Sequence, residues 1–351
     1  MLKKFSTLAL GLCVLFSAAT SEAAGISLDQ PQLLSERPLP DAQVTEYGLT
    51  HHRIVMADGM ALPLRRWGPA PERKAVPNAV VLGVHGFNDH AGSFVSTAAA
   101  LNQYGIALYA WDQRGFGASA TRPEWPGTDE LVDDARFALA ALRARYPDQP
   151  LFLMGLSMGG AIAALMLQDA DTVGRIDGVI LVGPAVWARS KMPWYQQGAL
   201  WVGERTAPNM KLARPAFAID PTDDPDVLEQ ITKDPLRISD TRVDSIGGIS
   251  NLMGRALTAM QQLPSVPSLI LYGGEDEIIP PEAACEMFRT LPEHGHWRAV
   301  YYPDGYHMLT RYTGSPVVFK DMAAFIQDSE AQVPSEQEVS REQAISLLCQ
   351  Q

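Results

Sequence analysis

Three residues of this chain have the types and the order that serine-based nucleophilic catalysis needs: Ser157, Asp276 and His307. Ser157 is the centre of Gly155-Leu156-Ser157-Met158-Gly159. The apolar run at 150–154 reads as a buried strand and the run at 160–167 as a helix. A serine on such a sharp strand-to-helix turn has its hydroxyl lifted above the sheet. The helix N-terminus beside it favours developing negative charge. Glycine is expected at 155 and 159 because side chains there would clash with the neighbouring strand and helix. Taken alone, the pentapeptide also reads as a tight turn with a spectator serine, so the partner residues decide.

Asp276 lies in Gly273-Gly274-Glu275-Asp276-Glu277, directly after a strand at 268–272. His307 lies in Asp304-Gly305-Tyr306-His307, directly after a strand at 297–302. Both therefore sit at carboxyl ends of strands, the edge where open α/β sheets build their sites. Serine is a poor nucleophile at neutral pH, so His307 has to take its proton during attack and return it to the leaving group. Asp276 would hold the imidazole tautomer and stabilise the imidazolium. Glu275 and Glu277 are rivals for the acid; Glu275 is nearer the strand, and Glu277 is expected to face solvent. The backbone N–H groups of Phe87, after the strand ending Val84-His85-Gly86, and of Met158 are the expected oxyanion donors. His85 is read as shaping that loop rather than as the base. Asp112-Gln113-Arg114-Gly115-Phe116-Gly117 is read as a tight turn, because it lacks the lysine and spacing of a phosphate loop.

Positioning these groups requires an alternation of strands and helices. Buried strands are expected at 79–84, 106–111, 151–154, 177–182, 268–272 and 297–302, with helices between most of them, for example at 129–145. That alternation predicts an α/β fold with a mostly parallel, doubly wound sheet. Two β-rich runs around Ala57-Asp58-Gly59, within 44–67, predict a hairpin. The 85 residues between Val182 and Ser268 are too many for one crossover. Residues 184–245 read as an inserted cap and 246–263 as the helix that returns to the sheet. Of the cap's large side chains, Trp187, Met192, Trp194, Tyr195 and Trp201 are the candidate pocket lining. Met210 and Phe217 complete the set, and some of these residues are expected to pack within the cap itself. The hydrolase core would then be 44–183 and 246–328, followed by a polar tail at 329–351 with a short amphipathic helix at 339–348.

The chain has 351 residues, a formal net charge of −12, 46% hydrophobic and 19% charged residues. This is globular composition, and its acidity argues against nucleic acid and against electrostatic docking on anionic lipid. Met1-Leu2-Lys3-Lys4, an apolar run at 8–19 and Ser21-Glu22-Ala23 together read as a secretory signal peptide over 1–23. Cleavage would remove two lysines and one glutamate, taking the charge to −13. An uncleaved segment would instead be a membrane anchor. Residues 24–43 read as an extended leader. Cys285 and Cys349 remain after cleavage and could be paired or free. His294-Gly295-His296 reads as a solvated turn, not a metal site.

His85-Gly86-Phe87-Asn88-Asp89-His90, Asp112-Gln113-Arg114-Gly115-Phe116-Gly117, Gly155-Leu156-Ser157-Met158-Gly159-Gly160, Asp234-Pro235-Leu236 and Gly305-Tyr306-His307 occur in that order. In these motifs the chain, over about 45–328, resembles the monoacylglycerol lipase and lysophospholipase group of α/β-hydrolases. The resemblance implies a Ser-Asp-His esterase with a mobile apolar cap over an acyl pocket. Phe87 stands where that group often has a small residue, and Gln113 where it often has His or Leu. The expected function is hydrolysis of carboxylic esters with medium or long acyl chains, such as monoacylglycerol or lysophospholipid, through an acyl-enzyme on Ser157. The expected substrate is a small lipid or ester, with no cofactor or metal and with transient membrane or micelle contact through the cap. A secreted or periplasmic location follows from the signal peptide. The alternatives are a short-chain esterase or peptidase-type hydrolase of the same fold, and a non-catalytic binding protein. Epoxide hydrolases and haloalkane dehalogenases would need Asp where Ser157 stands.

Overall fold

The computed structural model describes residues 48–49, 52–68, 76–187, 192–213 and 220–349. The signal-peptide and leader assignments, and Phe217 of the cap, lie outside them. Among the described residues a ten-stranded sheet runs in the order β1-β2-β3-β5-β4-β6-β7-β10-β11-β12. Its strands are β1 (Gly48–Leu49), β2 (Arg53–Val55), β3 (Ala61–Trp67), β4 (Ala79–Val84), β5 (Ile106–Trp111), β6 (Leu151–Leu156), β7 (Gly178–Val182), β10 (Ser268–Gly273), β11 (Trp297–Tyr302) and β12 (Glu338–Val339). The six from β5 to β11 are mutually parallel, while β1 to β3 and β12 are antiparallel edges. Every residue of β4, β5, β6, β7 and β10 is buried, because helices cover both faces.

Alternation along each strand divides the core in two. Val80, Leu82 and Val84 of β4 face one layer, formed with α2 (Thr128–Arg145), α3 (Met158–Met166), α7 (Val243–Met260) and α8 (Pro281–Thr290). Val81 faces the other, with α1 (Val95–Asn102) and α9 (Ser315–Gln327). The hairpin of β2 and β3 turns at Gly59, whose φ of 86° suits glycine. Arg114 ties that turn to α2: it donates to Asp58 at 2.7 Å and to both oxygens of Asp134 at 2.9 Å.

Between β7 and β10 the described residues form the short helix α5 (Trp194–Thr206), a hairpin of β8 (Lys211–Ala213) and β9 (Asp240–Arg242), and α6 (Pro225–Lys233). The returning helix α7 begins at Val243, three residues before the expected start, because β9 runs straight into it. The polar C-terminal stretch folds onto the sheet edge. Three of its apolar side chains, Val333, Ala344 and Leu348, are buried, while Leu347 stays exposed. β12 pairs with β11, α10 (Arg341–Leu348) packs on α8, and a disulfide joins Cys285 to Cys349. Composition alone hid this, since three apolar anchors suffice to hold a polar segment.

Candidate active site

Ser157 directly follows β6 and is the residue before α3, which starts at Met158 rather than at the expected 160. Its backbone has φ 53° and ψ −112°, a conformation that L side chains rarely adopt. Neighbouring backbone holds it there. The Ser157 N–H donates to Val182 O at 2.9 Å, and Ser157 O accepts from the N–H groups of Gly160, Ala161 and Ala185 at 2.9–3.1 Å. A Cβ on Gly155 would lie 2.4 Å from Gly159 O, and one on Gly159 would lie 1.9 Å from Val84 O. The turn is thus possible only with glycine at both positions, as the spacing implied.

Asp276 and His307 meet although 31 residues separate them: Asp276 Oδ2 is 2.7 Å from His307 Nδ1. The other carboxylate oxygen accepts from the N–H groups of Ile278 and Ile279, each at 2.9 Å. Asp276 is therefore buried and fully engaged, while Glu275 and Glu277 are exposed. Two backbone bonds draw the acid and histidine loops together, from Gly274 N to Tyr302 O at 2.8 Å and from Glu275 N to Gly305 O at 2.9 Å. Gly183, with φ 48°, bridges this pair and the serine. The preceding Val182 holds the serine N–H, and a Cβ on Gly183 would stand 3.4 Å from His307 Nδ1.

The loop after β4 faces the elbow, since a Cβ on Gly86 would lie 3.5 Å from Ser157 Cβ. The fold anchors it through charge. Asp89 lies between Arg237 of the cap segment, at 3.3 Å, and Arg311, at 2.5 Å. His90 Nδ1 accepts from Gly92 N at 3.0 Å, so Nε2 carries the proton toward Asp234 Oδ2 at 2.7 Å. Asn88 Nδ2 donates to Thr241 Oγ1 at 2.6 Å. The loop beside the serine is thereby tied to residues 234–241 of the segment between β7 and β10.

Burial pushes the Asp89 carboxyl up, but Arg311 and Arg237 outweigh it and hold it well below the ordinary range. A depressed folded pKa contributes stability above the unfolded value near ~4, which is lost as pH falls through the folded value. Asp89→Asn is expected to lower stability at pH 7 by about 3–5 kcal/mol. It should also flatten the fall of Tm below about pH 4; thermal melts of both proteins across pH 2–8 check this.

The candidate pocket side chains do not stay together. Trp187 and Met192 are half-buried, and Trp187 packs against the core. Trp194, Tyr195 and Trp201 are exposed, with Trp194 at 84%. These three side chains lie on the surface and not in a pocket lining. The reason is helical geometry: α5 meets α7 through Gly203 and Glu204, on Val243 and Gly247. Trp194 and Trp201, seven apart, share a face, and Gly203 lies about 200° around from Trp201. The rings that do gather near the serine loop are Phe87, Phe116 and Trp125, edge to face with centroids 5.8–6.4 Å apart. Trp125 gave no sequence signal; its ring lies over bare Gly248 of α7, where a Cβ would come within 2.2 Å.

Residues 75–312 match the family described as serine aminopeptidase, S33. The chain belongs to this family. Similar proteins include the human monoglyceride lipase, 27% identical over 80% of this chain and 89% of that protein. The monoacylglycerol lipase of Mycolicibacterium smegmatis is 25% identical over 79% and 96%. Among solved structures, a soluble variant of monoglyceride lipase from Saccharomyces cerevisiae superposes with a TM-score of 0.66 at 20% identity, covering 84% of this chain and all of that one. The α/β-hydrolase fold of this S33 chain is thus shared with lipases and esterases, in agreement with the sequence-based expectation.

Proposed function

We propose that this protein is a serine ester hydrolase that cleaves monoacylglycerol-like esters of medium or long acyl chains. The observation that carries the reading is the 2.7 Å Asp276–His307 pair at the sheet edge that also holds the Ser157 elbow. In this mechanism His307 Nδ1–H is oriented by Asp276, leaving Nε2 free to take the Ser157 proton. Ser157 Oγ attacks the ester carbonyl, and the oxyanion is met by the N–H groups of Phe87 and Met158. His307 returns the proton to the leaving alcohol. Water, deprotonated by His307, then releases the acid from the acyl-enzyme.

The family's name raises peptide hydrolysis as a second reading. An aminopeptidase needs a carboxylate for the substrate's α-amino group. The acids near the serine loop are already engaged: the buried Asp89 by two arginines, the half-buried Asp234 by His90, and the buried Asp112 by the N–H groups of Ala91 and Ala118. This favours the ester. The exposed apolar side chains Trp194, Tyr195, Trp201, Val202 and Met210 support transient contact of the cap with a membrane or micelle. The Cys285–Cys349 disulfide and the signal-like N-terminus support a secreted or periplasmic location.

Each buried methylene contributes about 0.8 kcal/mol. An acyl pocket that holds even four more methylenes of decanoate than of acetate should raise kcat/KM by about two hundredfold. p-Nitrophenyl esters of graded length, 1-monoacylglycerols, lysophosphatidylcholine and aminoacyl p-nitroanilides measure this. A maximum at acetate, or preferred turnover of the anilides, would overturn the lipid reading.

A further inference from the structure

His85 is fully buried one residue before the loop glycine, and the ester mechanism above gives it no proton to move. Its ring nevertheless has both nitrogens committed. Nδ1 is 2.9 Å from Gly86 O, which can only accept, so Nδ1 carries the proton. Nε2 accepts from the backbone N–H of Gln113 at 2.9 Å, and an N–H can only donate, so Nε2 is bare. The two contacts demand the same neutral tautomer. Burial also pushes the imidazole pKa down, which keeps it neutral. The Gln113 side chain closes the ring of contacts, its Nε2 donating to His85 O at 2.9 Å.

The consequence lies in the next peptide plane. A trans peptide points its C=O and N–H in opposite directions. Gly86 O is held on one side by His85 Nδ1–H and by Asp89 N at 3.3 Å. The Phe87 N–H of the same plane must then project the other way. Neither it nor the Met158 N–H has a hydrogen-bond partner among the described residues. Were the plane to rotate, a carbonyl oxygen would replace a donor where negative charge develops.

We propose that His85, braced by Gln113, is a positioning residue that fixes the Gly86–Phe87 peptide plane and so presets one oxyanion donor. The proposal rests on the serine ester hydrolase reading. It ties one specificity of this chain, Gln113 in the β5 turn, to the chemistry of the loop after β4.

Two substitutions separate the ring nitrogens. Asn places an N–H where His has Nδ1 and keeps the bond to Gly86 O. Gln reaches the Nε2 position, keeps an acceptor for Gln113 N, and loses that bond. His85→Gln is expected to lower kcat on a p-nitrophenyl ester by about a hundredfold, the usual effect of one oxyanion donor. KM should change less than about threefold, and the inhibition constant of an alkyl boronic acid, which mimics the tetrahedral adduct, should rise in parallel with the kcat loss. His85→Asn should stay within about fivefold of wild type in both. Gln113→Met, which removes only the side-chain donor to His85 O, carries the test if His85→Gln does not fold, with an expected kcat loss of about three- to tenfold at unchanged KM. Equal losses in the Asn and Gln variants at matched Tm, or a kcat loss without weaker boronate binding, would overturn the proposal. Failure of the hydrolase reading is a separate result: wild-type protein would then neither hydrolyse esters nor react with a fluorophosphonate.

Discussion

Ser157→Ala is expected to lower kcat for ester hydrolysis on the order of 10^6-fold with little change in KM. The hydroxyl contributes no ground-state binding, but the acyl-enzyme route cannot begin without it. His307→Ala should cost about as much, and the double variant no more than either alone, because the two act as one unit. The Ser157→Ala protein should fold normally, since all four backbone hydrogen bonds of residue 157 survive the change. Circular dichroism and single-turnover kinetics on the same samples check this; multiplicative losses in the double variant would show that Ser157 and His307 act independently. Ser157→Gly offers a further check. It should raise Tm while abolishing activity, because glycine relieves the strain of φ 53°.

The largest effect on stability is expected at Gly159. A methyl group there would lie 1.9 Å from Val84 O, 2.5 Å from Val84 C and 3.0 Å from His85 O. All three are backbone atoms of β4 and the loop it feeds, so no side chain can turn aside to make room. Gly159→Ala must push α3 away from β4, which buries backbone against a gap and displaces the Met158 N–H. A loss above about 4 kcal/mol is expected, on the order of 10 °C in Tm or failure to accumulate as soluble protein. Gly198 on α5 is the control: a methyl there meets nothing within 4 Å, and Gly198→Ala should stabilise slightly. Denaturant melts of the two variants decide; similar stabilities would refute the close approach at the elbow.

The elbow and the strands were readable because they are local. The Gly155–Gly159 spacing, the apolar runs and the turn residues around Asp276 and His307 each state their structure within a few positions. Even so, the sequence could rank Asp276 over Glu275 and Glu277 only by offset from a strand. Burial and two amide donors make the distinction physical. The cap went the other way. Five large side chains at 187–201 read as candidate pocket lining, some of them packed within the cap, but the face of α5 that meets α7 is made of Gly203 and Glu204. The heaviest rings were left in solvent, since a helix with few apolar anchors can be oriented by where a small residue allows close approach.

By itself, then, the sequence determined the glycine-flanked turn that carries Ser157, the strand ends that carry Asp276 and His307, and the parallel sheet that aligns them. These depend on contacts between near neighbours and on apolar periodicity. Only the tertiary structure decided the pairing of Cys285 with Cys349 and the anchoring of Asp89 by Arg237 and Arg311, 148 and 222 residues away. It also decided the tautomer of His85 and the three-ring group around Phe87. Such features join segments that no periodicity relates, and their energies come from burial and charge pairing that exist only once the layers have packed.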